Sequence, residues 1–255
     1  MTAAAGAPAA ELRIAGLVPL SSVDWPDHLV ATVFCQGCPW RCTYCHNPAI
    51  LDPTAPGAVR WTQLEALLSR RRGLLDGVVF SGGEATSQHA LVAAARAVRE
   101  AGFGVGLHTG GAFPARLRTL LGLDAAGRCV GDPLIDWVGF DVKAAPAGYA
   151  ALVGRAGAAE RAERSLRMLL VSGVDHELRM TVTPALQAQV PAVLRLVSEE
   201  GGRSLVLQRA RADGTGTAFA AQLAQVPDWA ERFESTAAAA ERLGSELGVR
   251  VTVRP

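Results

Sequence analysis

Six short apolar runs, each followed by a stretch with helical spacing, restrict this chain more than any other feature. They are Leu29 to Phe34, Gly77 to Ser81, Gly104 to His108, Trp137 to Val142, Glu177 to Thr183 and Ser204 to Gln208. All are rich in β-branched residues, as strands buried on both faces are. Thr62-Gln63-Leu64-Glu65 reads as a capping box for a helix with Leu64, Leu67 and Leu68 on one face. Ser87 precedes Leu91, Val92, Ala95 and Val98, with Gly102 as the stop, and Pro114 opens a helix carrying Leu117, Leu120 and Leu121. Leu166, Leu169 and Leu170 end at Gly173, and Val193, Leu194 and Val197 end before Gly201. A last helix is expected from about Asp228 to Leu247, and Val249 to Val253 alternates as an edge strand does. Strand–helix units in succession imply parallel strands joined by right-handed crossovers. Six are too few to close an eight-stranded barrel. The expected fold is α/β: an open, partial (βα)6 barrel with a parallel sheet inside, helices outside, and its site at the C-terminal strand ends.

Of the 255 residues, 49% are apolar, enough for one sizeable core. Residues 1–10 are Ala-rich and read as a disordered tail, and 11–255 as a single domain with its core at about 28–210. Net charge is +1, and the one run of like charge, Arg70 to Arg72, reads as the solvated end of a helix. No basic patch for nucleic acid is indicated. There is no uninterrupted apolar stretch long enough for a membrane helix and no signal peptide, so a cytoplasmic protein without membrane contact is expected.

Four of the five cysteines fall in Cys35-Gln36-Gly37-Cys38-Pro39-Trp40-Arg41-Cys42-Thr43-Tyr44-Cys45, directly after the first run. Thiolates are soft ligands that select zinc, Cu(I) or iron–sulfur clusters. Three readings compete: a [4Fe–4S] cubane held by Cys38, Cys42 and Cys45 with one iron open; a four-cysteine zinc site; or a closed electron-transfer cluster. Zinc sites normally pair cysteines across a dozen or more residues, and ferredoxin-type clusters use C-x2-C-x2-C-x3-C. The C-x3-C-x2-C spacing here favours the open cluster. Cys35 then reads as a small buried hydrophobe, and so does the isolated Cys129.

C-x3-C-x2-C with Tyr44 between the last two cysteines resembles the signature of the radical S-adenosylmethionine (SAM) superfamily. The extension His46-Asn47-Pro48 resembles the activases of glycyl-radical enzymes, above all those of anaerobic ribonucleoside-triphosphate reductases. Their Ser-x-x-Asp-x-Pro segment is similar to Ser21-Ser22-Val23-Asp24-Trp25-Pro26, with Asp27 where relatives carry Gly. The resemblance places that segment over the active-site mouth. It extends from about Gly16 to Gln208 and implies the roles of several strand-end residues. Ser81-Gly82-Gly83-Glu84 resembles the edge that binds SAM's amino group, and glycines let backbone approach a ligand closely. Leu107-His108-Thr109-Gly110 occupies the place of an Asp-Thr-Asn-Gly that lines the SAM carboxylate and ribose, so His108 stands for an acid beside Thr109. Asp141-Val142-Lys143 resembles the activases' Asp-x-Lys, and its two charged side chains project to one face. Arg179 is a charge within an apolar strand and needs a partner. A ligand carboxylate is one candidate and Glu177 the other. Gln208, ending the sixth strand, is placed to reach the adenine.

What the resemblance implies chemically is reductive cleavage of SAM at the open cluster, giving methionine and a 5′-deoxyadenosyl radical. That radical takes hydrogen from a backbone glycine of a partner, an anaerobic ribonucleotide reductase. The cofactor carries the hard chemistry and the protein orients it. The electron would come from a flavodoxin- or ferredoxin-type donor. Activation of another glycyl-radical enzyme such as pyruvate formate-lyase, and a small-molecule radical SAM synthase, are the alternatives.

Overall fold

The computed structural model describes residues 7–254. One sheet holds eight strands in chain order: β1 (Ile14–Ser21), β2 (Val30–Cys35), β3 (Gly77–Gly82), β4 (Gly104–Thr109), β5 (Trp137–Asp141), β6 (Asp175–Val182), β7 (Ser204–Arg209) and β8 (Arg250–Arg254). β1 is antiparallel to β2, and each later neighbour pair is parallel. The helices are α1 (Trp61–Arg70), α2 (Leu91–Glu100), α3 (Pro114–Leu120), α4 (Pro146–Val153), α5 (Ala158–Ser172), α6 (Val190–Glu199), α7 (Thr217–Ala224) and α8 (Trp229–Leu247). All six expected strands are present, joined through helices, and β8 adds the expected edge beside β7. The partial α/β barrel is therefore the fold.

Strand alternation sorts the side chains. Ala31, Val33, Val78, Phe80, Val105, Leu107, Val138 and Phe140 share one core with the helices. Each such large side chain contributes about 1.5–3 kcal/mol on burial. The opposite face holds a second, smaller cluster of Trp25, Val30, Val79 and Trp137. Trp25 stacks on Trp137 at 5.8 Å and on His28 at 4.5 Å. It fits because the strands beneath it carry glycines: a Cβ on Gly106 would meet its ring at 2.9 Å. Asp24 accepts a hydrogen bond from Thr32 Oγ1 at 2.6 Å.

Trp25 of the segment expected over the mouth thus packs into the barrel interior near the strand starts instead, while Ser22, Val23 and Pro26 are exposed. An indole and an antiparallel β1 gave no local sign of their destination. Asp27, at φ 61°, is the one non-glycine among the described residues in the left-handed region, where the relatives' Gly would be unstrained.

Other local expectations shift. α1 starts at Trp61, one residue before the expected cap, because Gln63 Oε1 accepts from the Arg60 N–H at 2.9 Å, while Glu65 accepts from Trp61 Nε1 at 2.9 Å. α4 and α7 lacked a helical apolar stripe and were not expected. Of the N-terminal segment read as a tail, residues 1–6 lie outside the described residues, while Ala9–Glu11 form a 3-10 turn. Cys129 is exposed, not buried, in the loop after α3. Among the described residues no helix is long and apolar enough to cross a membrane.

Candidate active site

β2 ends at Cys35, and the chain then makes a long loop before α1. Side chains and backbone pin that loop along its length. Gln36 Nε2 donates to the carbonyls of Ile50 (3.2 Å) and Asp52 (2.9 Å). The Arg41 N–H donates to Val153 O at 2.9 Å, and Arg41 Nη1 donates to the carbonyls of Cys38 (2.7 Å) and Trp40 (3.1 Å). Beyond Cys45, His46 Nδ1 donates to Asp213 O at 2.9 Å, linking the loop to the chain after β7. So held, Cys38, Cys42 and Cys45 all line one cavity of about 190 Å³ at the C-terminal strand ends. Cys35 is fully buried in the helix-side core and does not line it. Burial pushes the Cys38 thiol up to about 12, with Glu84 adding to it, and burial raises Cys42 as well. Thiolates here would therefore form only against a bound cationic centre, with release of protons.

The cavity gathers every residue named from sequence for SAM contact except one. Tyr44, Gly82, Gly83, Glu84, Thr109, Asp141, Lys143 and Arg179 all line it, whereas Gln208 does not. Gly83 lies so close to the cysteine loop that a Cβ there would fall 2.3 Å from Gly37 O. Glu84 is buried, and its carboxylate accepts from Thr86 Oγ1 (2.5 Å), Thr109 Oγ1 (2.7 Å) and the Gly110 N–H (3.0 Å). It joins the loops after β3 and β4.

Across the cavity, Asp141 pairs with Lys143 Nζ at 3.2 Å and Arg179 Nη2 at 3.0 Å. Burial alone would raise the Asp141 carboxyl, but the two cations outweigh it and hold it at about 2. Burial likewise works against the Lys143 ammonium, and Asp141 with Tyr44 keeps it well above the usual value. Glu177, the bland candidate for Arg179, is taken instead by Arg254 at 2.7 Å, because β8 brings that side chain alongside. His108 Nε2 donates to Asp24 O at 2.7 Å, and Nδ1 lies 3.2 Å from Ser81 Oγ. Burial first, then Arg179, lowers His108 to about 4, so it is neutral. Sequence reasoning missed Trp40, which is buried, lines the cavity and packs against Gly110. An aromatic inside a cysteine motif carries no signal of which way it turns.

The model of the radical SAM superfamily matches residues 32–197. The chain belongs to the radical SAM superfamily. Within it, the chain is 31% identical over 144 residues to a Methanocaldococcus jannaschii protein named as a glycyl-radical enzyme activating enzyme, MJ1227. That match covers 51% of this chain and 50% of that one. It is 36% identical over 80 residues to the pyruvate formate-lyase-activating enzyme of Clostridium pasteurianum, covering 30% and 33%. The chain thus spans half or less of the length of these curated relatives. Among solved structures, Streptococcus suis SuiB bound to its precursor peptide SuiA shares the fold at a TM-score of 0.60 and 12% identity, covering 89% of this chain and 48% of that one. QueE from Escherichia coli does so at 0.52 and 16%, covering 95% and 93%.

The superfamily implies a [4Fe–4S] cluster and SAM, and the donor set fits. Three soft thiols face one hollow. A cubane takes one thiolate at each corner it offers to the protein, which three cysteines lining one hollow can supply.

Proposed function

We propose that this chain is a SAM-dependent activase that generates a glycyl radical on an anaerobic ribonucleoside-triphosphate reductase. The observation that carries the SAM-dependent part of this reading is the shared cavity, and the choice of reductase rests on the resemblance of Ser21–Pro26 and His46–Pro48. Cys38, Cys42 and Cys45 line one wall and the Gly82–Glu84 edge and the Asp141–Lys143 pair line the others. Cys38, Cys42 and Cys45 would hold the cluster, which when bound supplies the electron that reductively cleaves SAM. The chain's own residues position that cofactor. Backbone at Gly82 and Gly83 meets its amino group, and the Lys143 ammonium faces its carboxylate. Tyr44 and Trp40 wall the cavity, while Trp25 and Trp137 pack behind it, Trp137 edge-on to His108 of its lining. A flavodoxin- or ferredoxin-type protein would be the electron donor.

Activation of a pyruvate formate-lyase-type enzyme is the second reading, favoured by the likeness to the Clostridium pasteurianum protein. The test is anaerobic reconstitution with iron and sulfide, then SAM and dithionite, with each candidate partner in turn. Electron paramagnetic resonance should show a glycyl radical on the reductase. A radical only on pyruvate formate-lyase selects the second reading. One tightly held zinc per chain, or a cluster whose spectrum ignores SAM, overturns both.

A further inference from the structure

No run of basic residues stands out in the sequence near the cysteines, yet the fold gathers one. Arg41, Arg155, Arg161 and Arg164 are exposed, and Arg116 is half-buried. Arg41 lies on the outer surface of the cysteine loop, and its Cβ sits 3.7 Å from where a Cβ on Gly154 would be, next to Arg155. Arg116, Arg161 and Arg164 line one groove between α3 and α5, together with Phe113 and a single acid, Glu160. The loop after β4 runs from Gly110, which touches Trp40 in the cavity wall, to Phe113 in the groove. None of these five arginines forms an ion pair among the described residues.

An arginine belt of this kind, on a chain whose net charge is only +1, is a local field and not a global one. It suits an acidic protein surface better than a nucleic acid, which would need a longer basic track. Its position decides the occupant. A polypeptide that gives up hydrogen must thread into the cavity. An electron need not enter, because its carrier can act from outside the loop that bears the thiols. Arg41 contacts the backbone of Cys38 directly, so this end of the belt lies against the loop that bears the thiols.

We propose that the belt formed by Arg41, Arg116, Arg155, Arg161 and Arg164 is the docking surface for an acidic one-electron carrier protein. The inference rests on the functional reading above and adds the surface through which reduction occurs. One electron leaves the reduced flavin or iron–sulfur group of the carrier, which is oxidised by one unit. It arrives at the metal group held by Cys38, Cys42 and Cys45, which is reduced by one unit, with no bond made or broken. Charge complementarity at such a surface governs encounter more than residence, so its signature is sensitivity to salt.

The test compares two reductants on the reconstituted holoenzyme and its R161E/R164E variant, neither residue lying in the cavity. With dithionite, both should cleave SAM at rates within about twofold. With reduced flavodoxin, the variant's KM for the carrier should rise at least about tenfold and lose its dependence on salt. Titration of oxidised flavodoxin into each protein should show the same loss of binding. Unchanged carrier affinity in the variant overturns the docking surface, as does preferential binding of a single-stranded oligonucleotide by the belt. An equal fall with both reductants in the R161E/R164E variant overturns it too, provided the milder R161Q/R164Q variant behaves likewise. Failure of the wild type to cleave SAM with dithionite sinks the functional reading instead, while the binding titration still judges the surface.

Discussion

Both carboxylate oxygens of Glu84 are occupied by the protein itself, which separates this residue from Lys143 on the facing wall. Replacing a buried acceptor by an amide leaves the Gly110 N–H facing another donor. Glu84→Gln should therefore lose about 1–3 kcal/mol in a urea unfolding experiment as well as weaken SAM binding. Lys143→Ala should weaken SAM binding in a calorimetric titration with iron content near normal. The thiols separate just as sharply. Cys42→Ser should abolish iron binding, whereas Cys35→Ala, in the helix-side core, should leave iron and sulfide unchanged; loss of iron in Cys35→Ala would refute the ligand assignment. His108 gives a pH signature. It faces Ser81, Asp24, Asp141, Arg179 and Trp137. Folding lowers it from 6.5 to about 4, so the unfolded chain binds its proton more readily. Its contribution is complete above about 6.5 and is lost as pH falls toward 4. Asp141, held at about 2 against an ordinary 3.8, adds a further loss below that range. His108→Gln should flatten the stability profile between pH 6.5 and 4, read from denaturant midpoints.

At the scale of elements, Trp25 between β1 and β2 is the least expected part of the fold and one of the easiest to test. Trp25→Ala removes an aromatic packed on Trp137 and over glycines, and should cost about 3–5 kcal/mol in thermal or urea unfolding. Asp27→Gly relieves a left-handed backbone and should leave stability unchanged or raise it by up to about 1 kcal/mol. The same region shows what sequence conveys and what it withholds. Runs such as Gly77 to Ser81 announce buried strands because local composition and burial on both faces go together. The cysteine spacing announces its chemistry because three ligands within one loop are a local fact. β1 contains Pro19 and polar flanks, so its pairing with β2 is a long-range outcome with no periodic sign. Arg179 met Asp141 and not Glu177 because β8 delivers Arg254 from far along the chain. Gln208 is the last residue but one of β7, which runs on to Arg209, and it does not line the cavity.

For the molecule as a whole, the cysteine loop is held to the barrel by the protein's own contacts. Gln36, Arg41 and His46 fasten the loop with protein hydrogen bonds, and the helix-side core runs behind it. Stripping iron with a chelator should leave far-ultraviolet circular dichroism unchanged, in contrast to small zinc domains that unfold when the metal goes. Loss of helical signal on chelation would show that the loop and barrel fold as one. The indoles beneath the cavity have a further consequence. If the proposed chemistry holds, with Trp25 and Trp137 packed behind the cavity, fresh nucleoside would come and spent fragments would go through a doorway at the strand ends. A protein seated across that doorway would seal its own waste inside, so the visitor must depart before the chamber can be recharged.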